Sequence, residues 1–452
     1  MIILKNSIMY FLTFKPYVML PVIIFILAMV FRIKIAIALK SALSIGIGFV
    51  GIFITFDYFV KIINPVVQAL IERAGLHFNV LDVGWPPLAS ITWSFPLAPI
   101  LIIVFMIVNV LMLVFKLTKT VDIDIWNYWH FIFIAALIFG TTGSYFLAVV
   151  ASIISCIIVI KIADWSAPMV QKLSGMEGIC LPTLSAAVYF PIAIIGDKLI
   201  DKIPFLNKID ANPEKLQKKL GIIAEPMILG FIVGIGLGIG GGYNIKQITD
   251  LAFSFAAVIY ILPKMCDIVG SSLLPISVGM KDFINIHFKN MGETYIGLDV
   301  AVIVGLPSVV VTAIFLTPVA LLLAFTLPGI NFIPLGDLTN IIGCIALVCV
   351  ATKGNVIRAF IIGVPIIIGS LYAASNMAAL YTNLAHSVNY EIVGYDGIFT
   401  SFLDGGNLFR TWIVKLFSGN IYAIILLPVI IFILYVTRKI TNKEAKKYSF
   451  KQ

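Results

Sequence analysis

The chain has 452 residues, 61% of them hydrophobic and only 12% charged, with a mean hydropathy of +1.08. Soluble domains carry about 25% charged residues, so the composition excludes that class. The net charge of +9 does not indicate nucleic acid, because the basic residues gather in hydrophilic stretches between apolar runs, as cytoplasmic loops do.

Several runs lack any charge over a membrane's thickness: 19 residues in 97–115, 30 in 131–160 and 37 in 300–336. About 20 residues suffice to span, so the longest has room for a span and a re-entrant piece. The alternation of a transmembrane barrel is missing. The sequence therefore predicts an all-α polytopic membrane protein, with about ten or eleven crossings.

The N-terminal apolar run is not preceded by a small-residue cleavage site and is predicted to be a retained first helix, about Pro16 to Phe31. A second segment, about Ala36 to Val60, carries the small residues Ser44, Gly46, Gly48 and Gly51, which suit close helix approach. The stretch Asn79 to Trp93, NVLDVGWPPLASITW, places an Asp, two prolines, a Gly and two tryptophans in an apolar chain. A carboxylate and helix breakers at membrane depth are costly and usually line a cavity.

A clean span from Leu97 to Phe115 follows, then the polar and aromatic VDIDIWNYWH, 121–130. The next apolar run is predicted to split at Gly140-Thr-Thr-Gly143, and Ile179 to Asp201, with Pro182 and Pro191, reads as a broken or re-entrant segment. Residues 202–224 form a basic hydrophilic linker. In the second half helices are predicted from about Pro226, Gln247, Leu306, Leu338, Ala359 and Ile421, and a basic tail covers 438–452. Asp267 to Tyr295 and Asn389 to Trp412 read as amphipathic stretches along the interface.

The Leu-Asp-Val of residues 81–83 recurs at 298–300, an offset of 299 − 82 = 217. Pro16 and Pro226 open similar helices, and Asn127 and Asn355 each follow a similar gap. These landmarks suggest duplicated halves, 1–201 and 225–437, a common build for transporters with a midplane site.

The candidate site residues are polar groups inside or beside apolar runs. Asp82 and Asp299 can accept hydrogen bonds from a polyol's hydroxyls, or cap helices at the membrane face. Trp85 and Trp93 can stack on a sugar's C–H face, or anchor at the interface. His130, beside Asn127, can orient or deprotonate a hydroxyl. Glu177, if partly desolvated, can act as a general base. Thr183 lies in the broken segment, and Asn355 either binds substrate or caps the helix after it. The five cysteines show no metal spacing, and neither a phosphate loop nor a dinucleotide turn after a strand is present, so no metal or cofactor is predicted.

The ordered motifs SIGIGFVGI, LDVGWP followed by TW, DIWNYWH, ADW, MEGICLP, AEPMILGF, IGLDV, PLGDL and KGNVIR carry a family resemblance over nearly the whole chain. The chain resembles the membrane-embedded IIC component of the bacterial phosphoenolpyruvate-dependent sugar phosphotransferase system, of the galactitol type in the ascorbate–galactitol superfamily. The resemblance implies a homodimeric permease of the bacterial cytoplasmic membrane. It also implies two inverted repeats with re-entrant hairpins, and a core domain moving against a scaffold domain. A IIB component phosphorylated on cysteine, itself charged through IIA, would phosphorylate the polyol or sugar at the cytoplasmic face. Thr183 and Leu306 stand where the galactitol pattern carries histidines. An ion-coupled secondary transporter, its membrane carboxylates serving as proton or Na⁺ sites, is the alternative.

Overall fold

The computed structural model describes residues 16–75, 79–122, 124–209, 211–213, 226–287, 294–334, 336–387 and 397–449. In the first half, α1 (Pro16–Val30) turns into the 40-residue α2 (Ile35–Ala74). The short strand β1 (Val80–Asp82) leads to α3 (Trp85–Trp93) and the apolar α4 (Ala98–Val114). Then come β2 (Thr120–Asp122), α5 (Ile125–Thr142), α6 (Tyr145–Ser174), β3 (Ile179–Cys180), one helical turn at Leu184–Ala187, numbered α7, and α8 (Phe190–Ile200).

The second half runs in a similar order, with a 3₁₀ turn in the place of α3 and, among the described residues, no counterpart of β2. It runs α9 (Pro226–Gly240), the 43-residue α10 (Ile245–His287), β4 (Tyr295–Gly297), a 3₁₀ turn at Val300–Ile303 and α11 (Pro307–Thr326). After them come a 3₁₀ turn at Leu338–Asn340, α12 (Ile341–Ala351), α13 (Val356–Ser387), β5 (Ile398–Thr400), α14 (Leu408–Phe417) and α15 (Ile421–Ser449). Among the described residues, five helices are long and apolar enough to cross a membrane, and three shorter apolar ones accompany them. The protein is an all-α polytopic membrane protein.

Local chemistry accounts for the breaks. Gly143 adopts φ +66°, ending α5, and Ser144 caps α6 by accepting the amide of Leu147, so the split at Gly140–Gly143 is borne out. Where the sequence suggests an end near Val60, α2 instead continues through Pro65 to Ala74. Ile63 and Val66 are fully buried there, and Arg73 donates to the terminal carbonyls of Ile239 and Gly240 in α9. Tertiary packing overrides the weak amphipathic signal. The 267–287 part of the expected interfacial stretch is likewise the second half of α10.

Two bodies result. The helices α1, α2, α9 and α10 pack mainly on one another. A Cβ on Gly48 or Gly51 would fall 2.5 Å from Val269 or 2.2 Å from Met265, so the small-residue face of α2 is what admits α10. The remaining elements form the second body, in which α5 and α12 are buried along most of their lengths. On its outside α15 has only 11% of its span buried, and Ile425 and Phe432 are exposed on its outer face. This helix runs unbroken to Ser449, so Arg438, Lys439, Lys443, Lys446 and Lys447 extend it rather than forming a separate tail.

Inside the second body the broken segments meet as two small parallel sheets. β1 pairs with β5, aligning Asp82 with Thr400, and β4 lies between β2 and β3, aligning Gly297 with Asp122 and Cys180. Flanking bonds repeat the pattern: Val80 N donates to Asn331 O as Tyr295 N donates to Lys119 O, and Val83 N donates to Thr400 O as Leu298 N donates to Cys180 O.

Those bonds place β1 and β4 at an offset of 295 − 80 = 215, which equates Asp82 with Gly297 rather than with Asp299. A Cβ at Gly297 would lie 2.9 Å from the Asp122 Cα, so no carboxylate fits at that position. The Asn127–Asn355 match is also corrected. Asp124-x-x-Asn127 opens α5 as Asp337-x-x-Asn340 opens α12, with Asn127 N bonded to Asp124 O and Asn340 N to Asp337 O.

Candidate functional site

At the first crossing Asp82 is buried, and its carboxylate is occupied by main chain. Oδ1 accepts the amides of Gly84 and Phe402, each at 3.1 Å, and Oδ2 accepts that of Asp337 at 3.1 Å. Asp337, fully buried, accepts from Ser401 Oγ at 2.7 Å, from the amides of Leu403 and Asp404, and from Asn340 Nδ2 at 2.8 Å. These two carboxylates hold the chain ends that form the site.

At the second crossing a network of side chains adds to the three paired strands. Asp122 accepts from Asn127 Nδ2 at 3.0 Å, and Asp124 accepts the Asp299 amide at 3.0 Å. Asp299 caps its 3₁₀ turn by accepting the Ala301 amide at 2.8 Å. Thr183 sits at the hub: its hydroxyl points to Asn127 Oδ1 at 2.9 Å and Asp299 Oδ2 at 3.2 Å, and accepts the Val300 amide at 2.8 Å. One hydroxyl hydrogen serves two acceptors, so the arrangement can shift between them.

His130 lies one turn along α5 from Asn127 and links the crossings. Its Nδ1 is 3.0 Å from Arg410 Nη2 and 3.7 Å from Asp404 Oδ1. A guanidinium only donates, so Nδ1 accepts and the ring proton sits on Nε2. In this geometry His130 can donate to a substrate oxygen, which suits the orienting one of its two expected roles. The rings of Trp129 and His130 are 4.1 Å apart, and Arg410 lies 4.8 Å from the Phe133 centroid. The half-buried Trp85 joins this aromatic wall 6.4 Å from Trp129, while the Trp93 side chain lies outside the described residues.

Two candidates lie apart from the network. Glu177 is exposed, just before β3, so the desolvation expected of it does not hold. Asn355 accepts the Arg358 amide with its side-chain oxygen and donates to Ile209 O, which makes it a helix cap. It lines a polar cavity of about 300 Å³ with Asp197, Asp201 and Arg358 instead.

Sequence reasoning missed Asp337, Asp404, Asn407 and Arg410. Within the stretch read as interfacial, β5, the turn after it and the start of α14 are instead packed inside, with Ser401, Phe402, Asn407 and Arg410 fully buried. Adjacent glycines between an Asp and an Asn, flanked by Phe and Leu, were the available signal.

A body of membrane-crossing helices whose interior gathers polar groups from both halves of the chain is the architecture of a solute permease. Comparison with known proteins specifies which. The family of PTS system sugar-specific permease components matches residues 10–396, and the chain belongs to it. It is 33% identical over 416 residues to a putative permease IIC component of Escherichia coli K12, covering 92% of this chain and 95% of that one. It is 34% identical over 409 residues to the PTS system galactitol-specific EIIC components of E. coli K12 and O157:H7, covering 90% of each chain. The protein is therefore a multi-pass permease component of the bacterial cytoplasmic membrane.

Proposed function

We propose that this permease binds a neutral polyol, galactitol or a close relative, in the buried network around Asp299, Thr183, Asn127 and His130, and carries it inward. The supporting observation is the convergence of both halves on that network: Thr183 from the first half bonds Asp299 and Val300 of the second, and His130 meets Arg410. The similarity to galactitol-specific components supports the substrate class. At the cytoplasmic face a substrate oxygen bonds to the phosphorus of a phosphocysteine on a IIB component. The S–P bond breaks and the hydroxyl proton leaves to solvent. IIA recharges IIB, and the permease works as a homodimer whose second body moves against the α1, α2, α9, α10 scaffold.

In this reading 1–201 and 225–437 are the repeats, 202–224 the linker and 438–452 a basic cytoplasmic end. Asp82 organises the site rather than touching substrate, and Trp85 walls it. Thr183 and Leu306, in place of histidines, tune the choice among polyols. The test supplies membrane vesicles carrying the protein with phosphorylated IIB and a panel of polyols and sugars. Phosphorylated product is expected for at least one hexitol, and none for any compound sinks the reading.

One observation favours a second reading. Among the described residues, six carboxylates (Asp82, Asp122, Asp124, Asp299, Asp337, Asp404) lie at or near the network with a single buried arginine, Arg410, and such groups can carry protons. Uptake that persists without IIB and collapses with an uncoupler would select an ion-coupled transporter instead.

A further inference from the structure

The turn from Thr400 to Arg410 is built tightly and still leaves buried hydrogen-bonding capacity unused. A Cβ on Gly405 would fall 2.3 Å from Ser401 O, and one on Gly406 2.2 Å from Phe402 O and 2.3 Å from Ser370 O. Only glycine fits at either position, so the backbone that carries Asp404 and Asn407 is pinned. Asn407 then caps α14: its Oδ1 accepts the Arg410 amide at 3.0 Å. That bond fixes the orientation of the amide and leaves both Nδ2 hydrogens pointing away from the helix.

Among the described residues, Asn407 Nδ2, Arg410 Nε and Asp404 Oδ1 are buried without a hydrogen-bond partner, although all three residues are at most 5% exposed. The rest of Arg410 is engaged, with Nη1 on Asp404 O and Nη2 on His130 Nδ1. Asp404 Oδ1 stands 3.7 Å from His130 Nδ1 and 3.8 Å from Arg410 Nη2, just beyond hydrogen-bond reach of both. Folding alone selects against such atoms, since each buried orphan gives up its hydrogen bonds to water and gains none in return. Two donors and one acceptor within seven residues, on a backbone held rigid, match a ligand group that both accepts and donates. A hydroxyl does so. A purely anionic or apolar group does not.

We propose that Asp404, Asn407 and Arg410 are specificity-determining residues that read the hydroxyls of the substrate polyol. The inference rests on the reading of the buried network as the polyol site, and names a second wall of it facing His130. Asn407 and Arg410 donate to substrate oxygens, and Asp404 accepts a hydroxyl hydrogen. Because the pinned turn presents these groups at set positions, epimeric hexitols are told apart by which hydroxyl reaches Nδ2.

The full-length protein in vesicles supplied with phosphorylated IIB tests this, with galactitol, sorbitol, mannitol and deoxygalactitols as probes. Asn407→Ser and Asn407→Asp both keep an oxygen that caps α14 and remove the amide donors. Each is expected to raise KM for the preferred hexitol about tenfold, with kcat little changed. The penalty should vanish for the deoxy analogue that lacks the hydroxyl read by Asn407. Asp404→Asn is expected to change the rank order of the hexitols. Unchanged KM values and rank order in all three variants overturn the proposal. So does failure of both Asn407 variants to accumulate, because the residue would then serve the fold. If the unmutated protein phosphorylates none of the probes, the underlying polyol reading fails instead.

Discussion

The crossing at Asp82 and the crossing at Asp299 are built on the same plan and held by different means. The second has three strands, β2, β4 and β3, so backbone pairing ties its segments together. The first has two, β1 and β5, and the Asp82 carboxylate does the work of a third by gathering the amides of Gly84, Asp337 and Phe402. A carboxylate spent on main chain is part of the scaffold. Asp299 accepts the Ala301 amide beside the Thr183 hydroxyl and gathers no distant chain end, so its crossing can be retuned by changing side chains. Two residues that look alike in sequence are therefore held differently, Asp82 by distant main-chain amides and Asp299 by its own turn and the Thr183 side chain.

The largest effect is expected at Asp82→Ala, which orphans three buried amides at about 1–3 kcal/mol each. Loss of monodisperse protein in detergent is the expected readout. A stable variant that has merely lost uptake would reverse the comparison and make Asp82 a substrate ligand. Asp299→Asn keeps an oxygen for the Ala301 amide, so folded yield should stay near normal while phosphorylation-coupled uptake falls about tenfold or more. If its thermal stability drops as far as that of Asp82→Ala, the two crossings are equivalent after all.

Thr183 sharpens the contrast on a smaller scale. Thr183→Ser retains the hydroxyl that joins Asn127, Asp299 and Val300, and uptake should change little. Thr183→Val strands the Val300 amide, at about 1–3 kcal/mol, and should depress uptake as well. A thermal-shift series on both, paired with uptake, separates the contributions; equal behaviour would remove the hydroxyl from the site.

The smallest effect lies outside both crossings, at Asp201. Partial burial raises its carboxyl, but hydrogen bonds from Arg358 and Lys198 outweigh that and hold it below its ordinary value. A carboxyl depressed on folding stabilises above its unfolded pKa, and the contribution is lost as pH falls through the folded value. A melting-temperature profile should thus show Asp201→Asn losing stability at neutral pH and converging on the parent protein in acid. Parallel profiles would mean that the ion pair contributes nothing measurable.

Much of this molecule was legible in the chain because membrane burial is written in composition. The spans near Leu97, Pro226 and Ile421, the break at Gly143 and the broken segment after Ile179 all appear where the apolar runs and glycines indicate. The site was legible only in part. The Leu-Asp-Val echo found two carboxylates at the right crossings but two residues out of register, since strand alternation puts residues i and i+2 on one face. Asp-x-x-Asn at 124 and 337, the true repeat of the helix openings, was hidden by the more conspicuous Lys-Gly-Asn at 353–355. The Asp404 to Arg410 turn was misread because charges and paired glycines usually mark exposed chain.

The sequence by itself determined the membrane class and the family. Each follows from local patterns of apolar length, helix breakers and motif order. Only the tertiary structure decided which carboxylate is structural, which nitrogen of His130 carries the proton, and that a distant turn supplies Arg410. Those are properties of contacts between residues up to 320 positions apart, as from Asp82 to Phe402, and no local pattern encodes which amide a carboxylate will meet.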